Sequence, residues 1–254
     1  MNDNLKQPLF DYLLWLGDTT LVAGHRLSEW CGHGPILEED IAMTNIALDL
    51  LGQARMYLTY AGEIEGKGHS EDDLAYLRDV MAYKNALLTE QPNGDFAFTI
   101  VKQFLFSAFC YHLQDALLSS SDERIRSIAE KAIKEVTYHL RHSSDWMIRL
   151  GDGTEESNSK IQNALNNAWM FVDDLFLQLP ADKALADAGI IPEMAVIRNK
   201  WNSTIKSVLE EATLKMPSES YMMKGGREGK HSEHLGYILA ELQFLPRAYP
   251  DAKW

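Results

Sequence analysis

Residues 120–153 read SSDERIRSIAEKAIKEVTYHLRHSSDWMIRLGDG, and their apolar positions recur every three or four residues. That spacing predicts one long amphipathic helix that buries a single face. Ser120 and Glu123 have the spacing of an N-terminal capping box, and Gly151 and Gly153 are typical of a helix end. The face expected to be buried comprises Ile125, Ile128, Ala129, Ala132, Ile133, Val136, His139, Leu140, Ser143, Met147 and Leu150.

The same periodicity continues on both sides of this helix, whereas alternating strand patterns are scarce. The stretch Phe96–Tyr111 is apolar on all sides, but it contains Lys102 and Gln103 and is short for a membrane span. It is therefore expected to be a buried core helix. The sequence predicts an all-α protein, one domain over residues 1–254, with a helix bundle and additional C-terminal helices. The other predicted helices are Leu9–Cys31, Leu37–Gly62, Glu71–Thr89, Asp95–Ser119, Glu155–Gln178, Pro192–Leu214 and Ser232–Leu245.

Charge and cysteine usage exclude several classes of function. The formal net charge of −13 argues against nonspecific binding to nucleic acid or to an anionic membrane. Cys31 and Cys110 lie far apart and form no metal or redox motif. The first five residues lack the basic and apolar regions of a secretory signal. These features predict a cytoplasmic protein.

The helical pattern invites a search for a di-iron centre, which helix bundles of this size often hold. Such a centre needs two single carboxylates and two Glu-x-x-His pairs, because side chains at i and i+3 share a helical face. Only one of the eight histidines has a glutamate three residues before it, and that pair is Glu228 and His231. It lies beside the glycine-rich stretch Gly225–Lys230, which reads as a loop. The sequence therefore predicts no di-iron site.

Several blocks of the sequence carry a resemblance to a known family. They are SEWCGHGP (28–35), NIALDLLGQAR (45–55), EQPNG (90–94), KAIKE (131–135) with YHLR (138–141), and HSEHLG (231–236). In this order they resemble the C subunits of bacterial phenylacetyl-CoA monooxygenases (epoxidases). The resemblance implies a ferritin-like bundle that supports a related A subunit, and the A subunit holds the iron and the substrate site.

The resemblance also implies which positions correspond to the iron ligands of the A subunit. Glu29 keeps the first glutamate, and His139 keeps a histidine. The remaining ligand positions are changed, and they fall on Leu50, Gln53, Ser107 and Val136. Leucine and valine offer no lone pairs, so two remaining ligands cannot hold two irons. The pattern implies a degenerate di-iron site.

Two smaller groups leave alternatives open. Glu29, Asp49 and His139 form a candidate mononuclear metal site, which would make the chain an enzyme in its own right. The favoured alternative is a buried, hydrogen-bonded polar cluster that includes Asn45 and Gln53, since buried polar groups normally find partners.

The second group is the basic loop with Lys224, Arg227, Lys230 and His231. It is a candidate contact for the phosphates of a coenzyme A ester or for a partner chain. A solvated loop is the simpler interpretation.

Taken with the resemblance, these observations predict a non-catalytic structural subunit of a phenylacetyl-CoA epoxidase. No cofactor is expected in this chain. The resemblance implies two irons in the A subunit, and NADPH, FAD and an iron–sulfur cluster in a reductase subunit. The expected partners are the A subunit and other subunits of the complex. A homodimer of the isolated chain and a helical scaffold unrelated to oxygen chemistry are the alternatives.

Overall fold

The computed structural model describes residues 3–218, 221–250 and 252; the prediction about a secretory signal rests partly on residues 1 and 2, which lie outside the described residues. The described residues contain α-helices, short 3₁₀ turns and no strand, so the predicted all-α class is confirmed. The α-helices are α1 (Asp3–Ser28), α2 (Leu37–Glu65), α3 (Glu71–Tyr76), α4 (Leu87–Glu90), α5 (Phe96–Leu117), α6 (Glu123–Gly151), α7 (Glu155–Trp169), α8 (Asp182–Asp187), α9 (Met194–Glu211), α10 (Glu233–Leu242) and α11 (Phe244–Ala248).

The chain is organised as two compact units. Unit 1 comprises Met1–Pro92 and Gly225–Trp254, and unit 2 comprises Asn93–Lys224. In unit 1, α1 packs along the length of α2, and every residue from 12 to 24 is buried. In unit 2, α5 packs against α6, α7 and α9. The prediction of one domain over residues 1–254 stays a prediction.

Helix α5 forms the core of unit 2. Phe104 and Leu105 are fully buried, and the indole N–H of Trp201 on α9 donates to the Leu105 carbonyl at 3.0 Å. By length and composition α5 alone, among the described helices, is apolar enough to cross a membrane, but 78% of its most apolar window is buried inside the protein. The prediction of a buried core helix is confirmed.

The amphipathic prediction for α6 is confirmed, but its predicted cap is wrong. Eight of the eleven expected residues are buried, and Ile133, Leu140 and Leu150 are half-buried. The N-cap is Asp122, whose Oδ1 accepts from the backbone N–H groups of Arg124 and Ile125 at 3.0 Å. Ser120 instead donates its hydroxyl to the Ile190 carbonyl at 2.6 Å. The Ser120 side chain therefore makes a tertiary hydrogen bond and does not cap the helix as the local pattern predicted.

The segment expected as one helix over Glu71–Thr89 is broken into α3, a 3₁₀ turn and α4. The cause is Asp18 of α1, which is fully buried. Its carboxylate accepts from the Arg78 guanidinium and, at 2.8 Å, from the backbone N–H of Lys84. The N–H of Ala86 donates to the Thr19 hydroxyl at 3.1 Å. Because side chains of α1 accept from the backbone N–H groups of Lys84 and Ala86, these groups do not donate within a helix, and the segment does not continue as one.

Several further elements differ from the sequence prediction; helix α1, for example, begins at Asp3, six residues before the predicted Leu9. Helix α7 ends at Trp169, nine residues before the predicted Gln178, and a 3₁₀ turn (Val172–Phe176) follows. The last predicted helix is interrupted at Gln243 between α10 and α11. Helix α8 was not predicted. The apolar period indicates helical stretches, but by itself it does not fix where one helix ends and the next begins.

Candidate functional site

In unit 1 the ligand positions implied by the resemblance separate into buried neutral residues and an exposed charge. Leu50 and Gln53, one turn apart on α2, are 1% and 0% exposed. Glu29 lies just beyond the end of α1; its side chain is 48% exposed and accepts from Arg26 at 2.6 Å. Asp49 is half-buried and Asn45 is exposed. The expectation that Glu29 and Asn45 belong to a buried cluster is therefore wrong, since both face solvent.

In unit 2 the corresponding positions are buried and carry no carboxylate. Val136 and His139 are 0% and 1% exposed on α6, and Ser107 is 1% exposed on α5. The Ser107 hydroxyl accepts from the side-chain amide of Gln103 at 2.9 Å. Glu135, the carboxylate next to Val136 in sequence, is half-buried.

This set of side chains does not fit a pair of irons. Leu50 and Val136 have no donor atoms, whereas iron sites in helix bundles are built from carboxylates and imidazoles. In the described part of the chain no three His, Cys, Asp or Glu side chains are grouped so that they could hold a metal ion. The side chains of Glu29, Asp49 and His139 therefore do not form the grouped metal site of the alternative prediction.

The interpretation of a solvated loop is wrong for Arg227 and His231, whose side chains are buried, whereas Lys224 and Lys230 are exposed. Arg227 is 2% exposed, and its guanidinium lies 4.5 Å from the ring centroid of Trp15 in unit 1. Lys230 pairs with Glu228 at 2.9 Å, and in unit 2 Lys224 pairs with Asp173 at 3.0 Å. The loop follows this path because Gly225 and Gly229 have φ angles of 125° and 78°, which favour glycine.

His231 is the most strongly engaged member of this group. Its side chain is 2% exposed and faces the fully buried side chain of Glu90 on α4. Nδ1 lies 3.0 Å from Glu90 Oε2, and Nε2 lies 3.0 Å from the Tyr83 carbonyl oxygen. A backbone carbonyl only accepts, and so does an ionised carboxylate. With an ionised Glu90 both ring nitrogens donate, so these two contacts favour the imidazolium form of His231.

Glu90 accepts two further hydrogen bonds. Its Oε1 accepts from the backbone N–H of Ser232 at 2.6 Å, and its Oε2 accepts from the side-chain amide of Asn85 at 2.9 Å. Burial lowers the pKa of His231. The bonds to Glu90 and to the Tyr83 carbonyl, together with the charges of Glu90 and Asp18, raise this pKa by a larger amount. The net pKa lies above the ordinary 6.5. Within unit 1 this pair ties Gly225–Trp254 to Met1–Pro92.

Sequence reasoning missed Glu90, and the reason is specific. The search for Glu–His pairs compared each histidine with the residue three positions earlier, so it paired His231 with Glu228. In the structure Glu228 binds Lys230, and the partner of His231 is 141 residues away in sequence. Both partners lie in blocks that carry the family resemblance, EQPNG and HSEHLG. The presence of both residues in such blocks is the feature of the sequence that could have identified the pair.

Comparison with known proteins gives two results. A family model described as "Phenylacetic acid catabolic protein" matches residues 1–254. The chain is also 47% identical over 243 residues to the C subunit of the 1,2-phenylacetyl-CoA epoxidase of Escherichia coli (strain K12). That alignment covers 96% of this chain and 98% of the relative.

Proposed function

The chain belongs to the family of phenylacetic acid catabolic proteins, and we propose that it serves as the non-catalytic C subunit of a multicomponent phenylacetyl-CoA epoxidase. The family is ferritin-like, which confirms the fold class expected from the sequence. In this proposal the chain works in phenylacetate catabolism by holding a catalytic A subunit in its active form. Two unpaired cysteines, Cys31 and Cys110, agree with a cytoplasmic location.

The observation that carries the proposal is the neutral, close-packed set of ligand positions. Leu50, Gln53 and Val136 are at most 1% exposed, so apolar and amide side chains fill space where a catalytic relative needs acidic groups. A carboxylate buried there without a metal would cost several kcal/mol. Aliphatic side chains avoid that cost and stabilise the bundle without a cofactor. The chemistry then belongs to the partner chains.

Under this proposal each cofactor has its place outside this chain. Two irons lie in the A subunit and activate O₂ for insertion into the aromatic ring of phenylacetyl-CoA. NADPH, FAD and an iron–sulfur cluster lie in a reductase subunit. The basic loop has a structural task rather than phosphate binding, because Arg227 and His231 are buried and Lys224 and Lys230 are paired.

The test is to produce the catalytic A chain with and without this chain and to separate the two afterwards. We expect the A chain to be unstable or inactive alone, and to recover turnover when both are produced together. Metal analysis of the separated chains should find iron in the A chain. An A chain with full stability and turnover alone, or a bound iron pair in this chain, would refute the proposal.

A further inference from the structure

The outward face of α2 carries an aligned row of large aliphatic side chains. Leu37, Ile41 and Leu48 are 72%, 52% and 60% exposed. At 100° per residue they lie within about 40° of one another around the helix axis. Single exposed apolar residues are common on soluble proteins, but an aligned set on one face marks a site of interaction.

The exposed face of helix α6 has a different composition from that of α2. It has 29 residues, the same number as α2. Its exposed side carries five basic residues on a protein of net charge −13, with Tyr138 as its exposed large apolar side chain. Those basic residues are Arg124, Lys131, Lys134, Arg141 and Arg149. The aliphatic row on α2 is therefore not the ordinary surface of a long helix in this chain.

A glycine on the same face gives an independent indication. Gly52 lies in the middle of α2, about 60° around the axis from Leu37, and a Cβ added there would meet nothing within 4 Å. The other glycines of α1 and α2 differ, since a Cβ on Gly17, Gly24 or Gly62 would meet another part of the chain at 2.3–3.2 Å. Glycine inside a helix costs about 0.5–1 kcal/mol relative to alanine. No contact within the described chain accounts for Gly52, whereas the close approach of another backbone does.

The row leads into a pocket of about 220 Å³ between α1, α2 and α3. Its floor is apolar and includes Leu21, Leu51 and Leu58, and its rim carries an Arg55–Glu71 ion pair of 3.1 Å. His25 also lines it, and burial lowers the pKa of this imidazole, so the ring is neutral near pH 7. An apolar pocket beside an exposed aliphatic row is suited to one large apolar side chain of a partner.

The geometry points to α2 as the docking surface for an amphipathic helix of the catalytic chain. The partner backbone approaches at Gly52, its apolar side chains cover Leu37, Ile41 and Leu48, and one large side chain enters the pocket beside His25. This inference rests on the proposed function. A second copy of this chain is the less suitable occupant. Each copy carries a charge of −13, and the first turn of each α2 holds Glu38, Glu39 and Asp40, so like charges would meet.

Gly52→Gln separates docking from folding. The substitution fills open space and removes a helix-disfavouring glycine, so the isolated chain should unfold at the same temperature or a higher one. The added side chain keeps a partner helix away. We expect the complex of the co-produced chains to dissociate at a concentration at least about 30-fold higher than with wild type, the effect of losing an interface hot spot, measured on dilution by analytical ultracentrifugation.

A second variant and a control test the face itself. Ile41→Asp with Leu48→Asp should weaken binding by more than about 100-fold, because both aliphatic side chains are replaced by charges. The matched control is Val196→Asp on α9, which is 50% exposed against 52% for Ile41, and it should leave the affinity unchanged.

The outcomes distinguish the two proposals. If wild-type chain does not bind the catalytic chain, the proposed function fails. If wild type binds and the α2 variants bind equally well, the function stands and this docking surface is refuted. If the α2 variants abolish only self-association, followed by analytical ultracentrifugation, the face joins two copies of this chain and the inference is likewise refuted.

Discussion

Two buried histidines, one in each compact unit, differ in the group that stands opposite them. His231 in unit 1 is 2% exposed and donates to the carboxylate of Glu90. His139 in unit 2 is 1% exposed, and one helical turn before it the chain has Val136. Both side chains are buried, but Glu90 places a carboxylate against His231, whereas the residue one helical turn before His139 is aliphatic. The two positions therefore allow the effect of adding or removing a neighbouring carboxylate to be tested at two buried histidines.

Removal of Glu90, the partner of His231 in unit 1, should cause the largest loss of stability. Glu90→Ala leaves the His231 imidazolium buried without its counter-ion and leaves the N–H of Ser232 without an acceptor. Breaking a buried ion pair from one side costs about 3–5 kcal/mol. We expect a loss of that size in the free energy of unfolding, measured by urea denaturation at pH 7.

Glu29→Ala is the matched control, because it also removes a glutamate from an ion pair in unit 1. The Glu29 side chain is nearly half exposed, and pairs at the surface contribute about 0–1 kcal/mol. The control should therefore change stability little. Equal losses in the free energy of unfolding would mean that the buried pair stabilises the protein no more than the surface pair. The comparison between the two histidines would then be refuted.

Creation of a partner in unit 2 should give the next largest effect. Val136→Glu places a carboxylate one turn from His139, in the Glu-x-x-His spacing of a metal site. The site is fully buried and lacks further ligands, so the variant should lose about 2–4 kcal/mol of stability, partly offset by any pairing with His139. Added ferrous iron should not restore it. A rise in unfolding temperature with iron would show that the remaining groups of this unit still form a metal site.

The sequence predicted what depends on local periodicity and missed what depends on contacts between distant segments. The buried face of α6 followed from its apolar spacing, including Val136 and His139. The break in the predicted helix over Glu71–Thr89 did not, because it depends on Asp18, more than 50 residues earlier. A local pattern contains no information about a carboxylate that reaches the segment only after folding.

The candidate site divides in the same way. The neutral residues Leu50 and Gln53 were predictable because they are substitutions in the recognisable block 45–55, and Val136 because it lies directly between two such blocks. The burial of Arg227 and the pairing of His231 with Glu90 were not, since a glycine-rich basic stretch normally reads as a solvated loop. The exposure of Glu29 was missed because the first helix was predicted to end at Cys31. Helix α1 ends three residues earlier, and Glu29 lies just beyond that end.

The pH dependence of stability should give the smallest effect and the most specific one. The pKa of His231 in the folded protein lies above 6.5, so its contribution is complete below about pH 6.5 and is lost as the pH rises through the folded-state value. Burial lowers the pKa values of His25 and His112, and these groups give the opposite slope below pH 6.5. The difference between wild type and His231→Gln therefore isolates the contribution of His231.

The measurement is a series of urea denaturation curves between pH 5.5 and about pH 9. Wild type should lose stability relative to His231→Gln as the pH rises, by up to about 1.4 kcal/mol for each unit by which the pKa is raised. Below pH 6.5 the difference between the two proteins should be constant. A difference that does not change with pH would mean that His231 keeps its proton over the whole range or never carries the second one. In the latter case Nε2 would carry no proton, and the Tyr83 carbonyl would lack its donor.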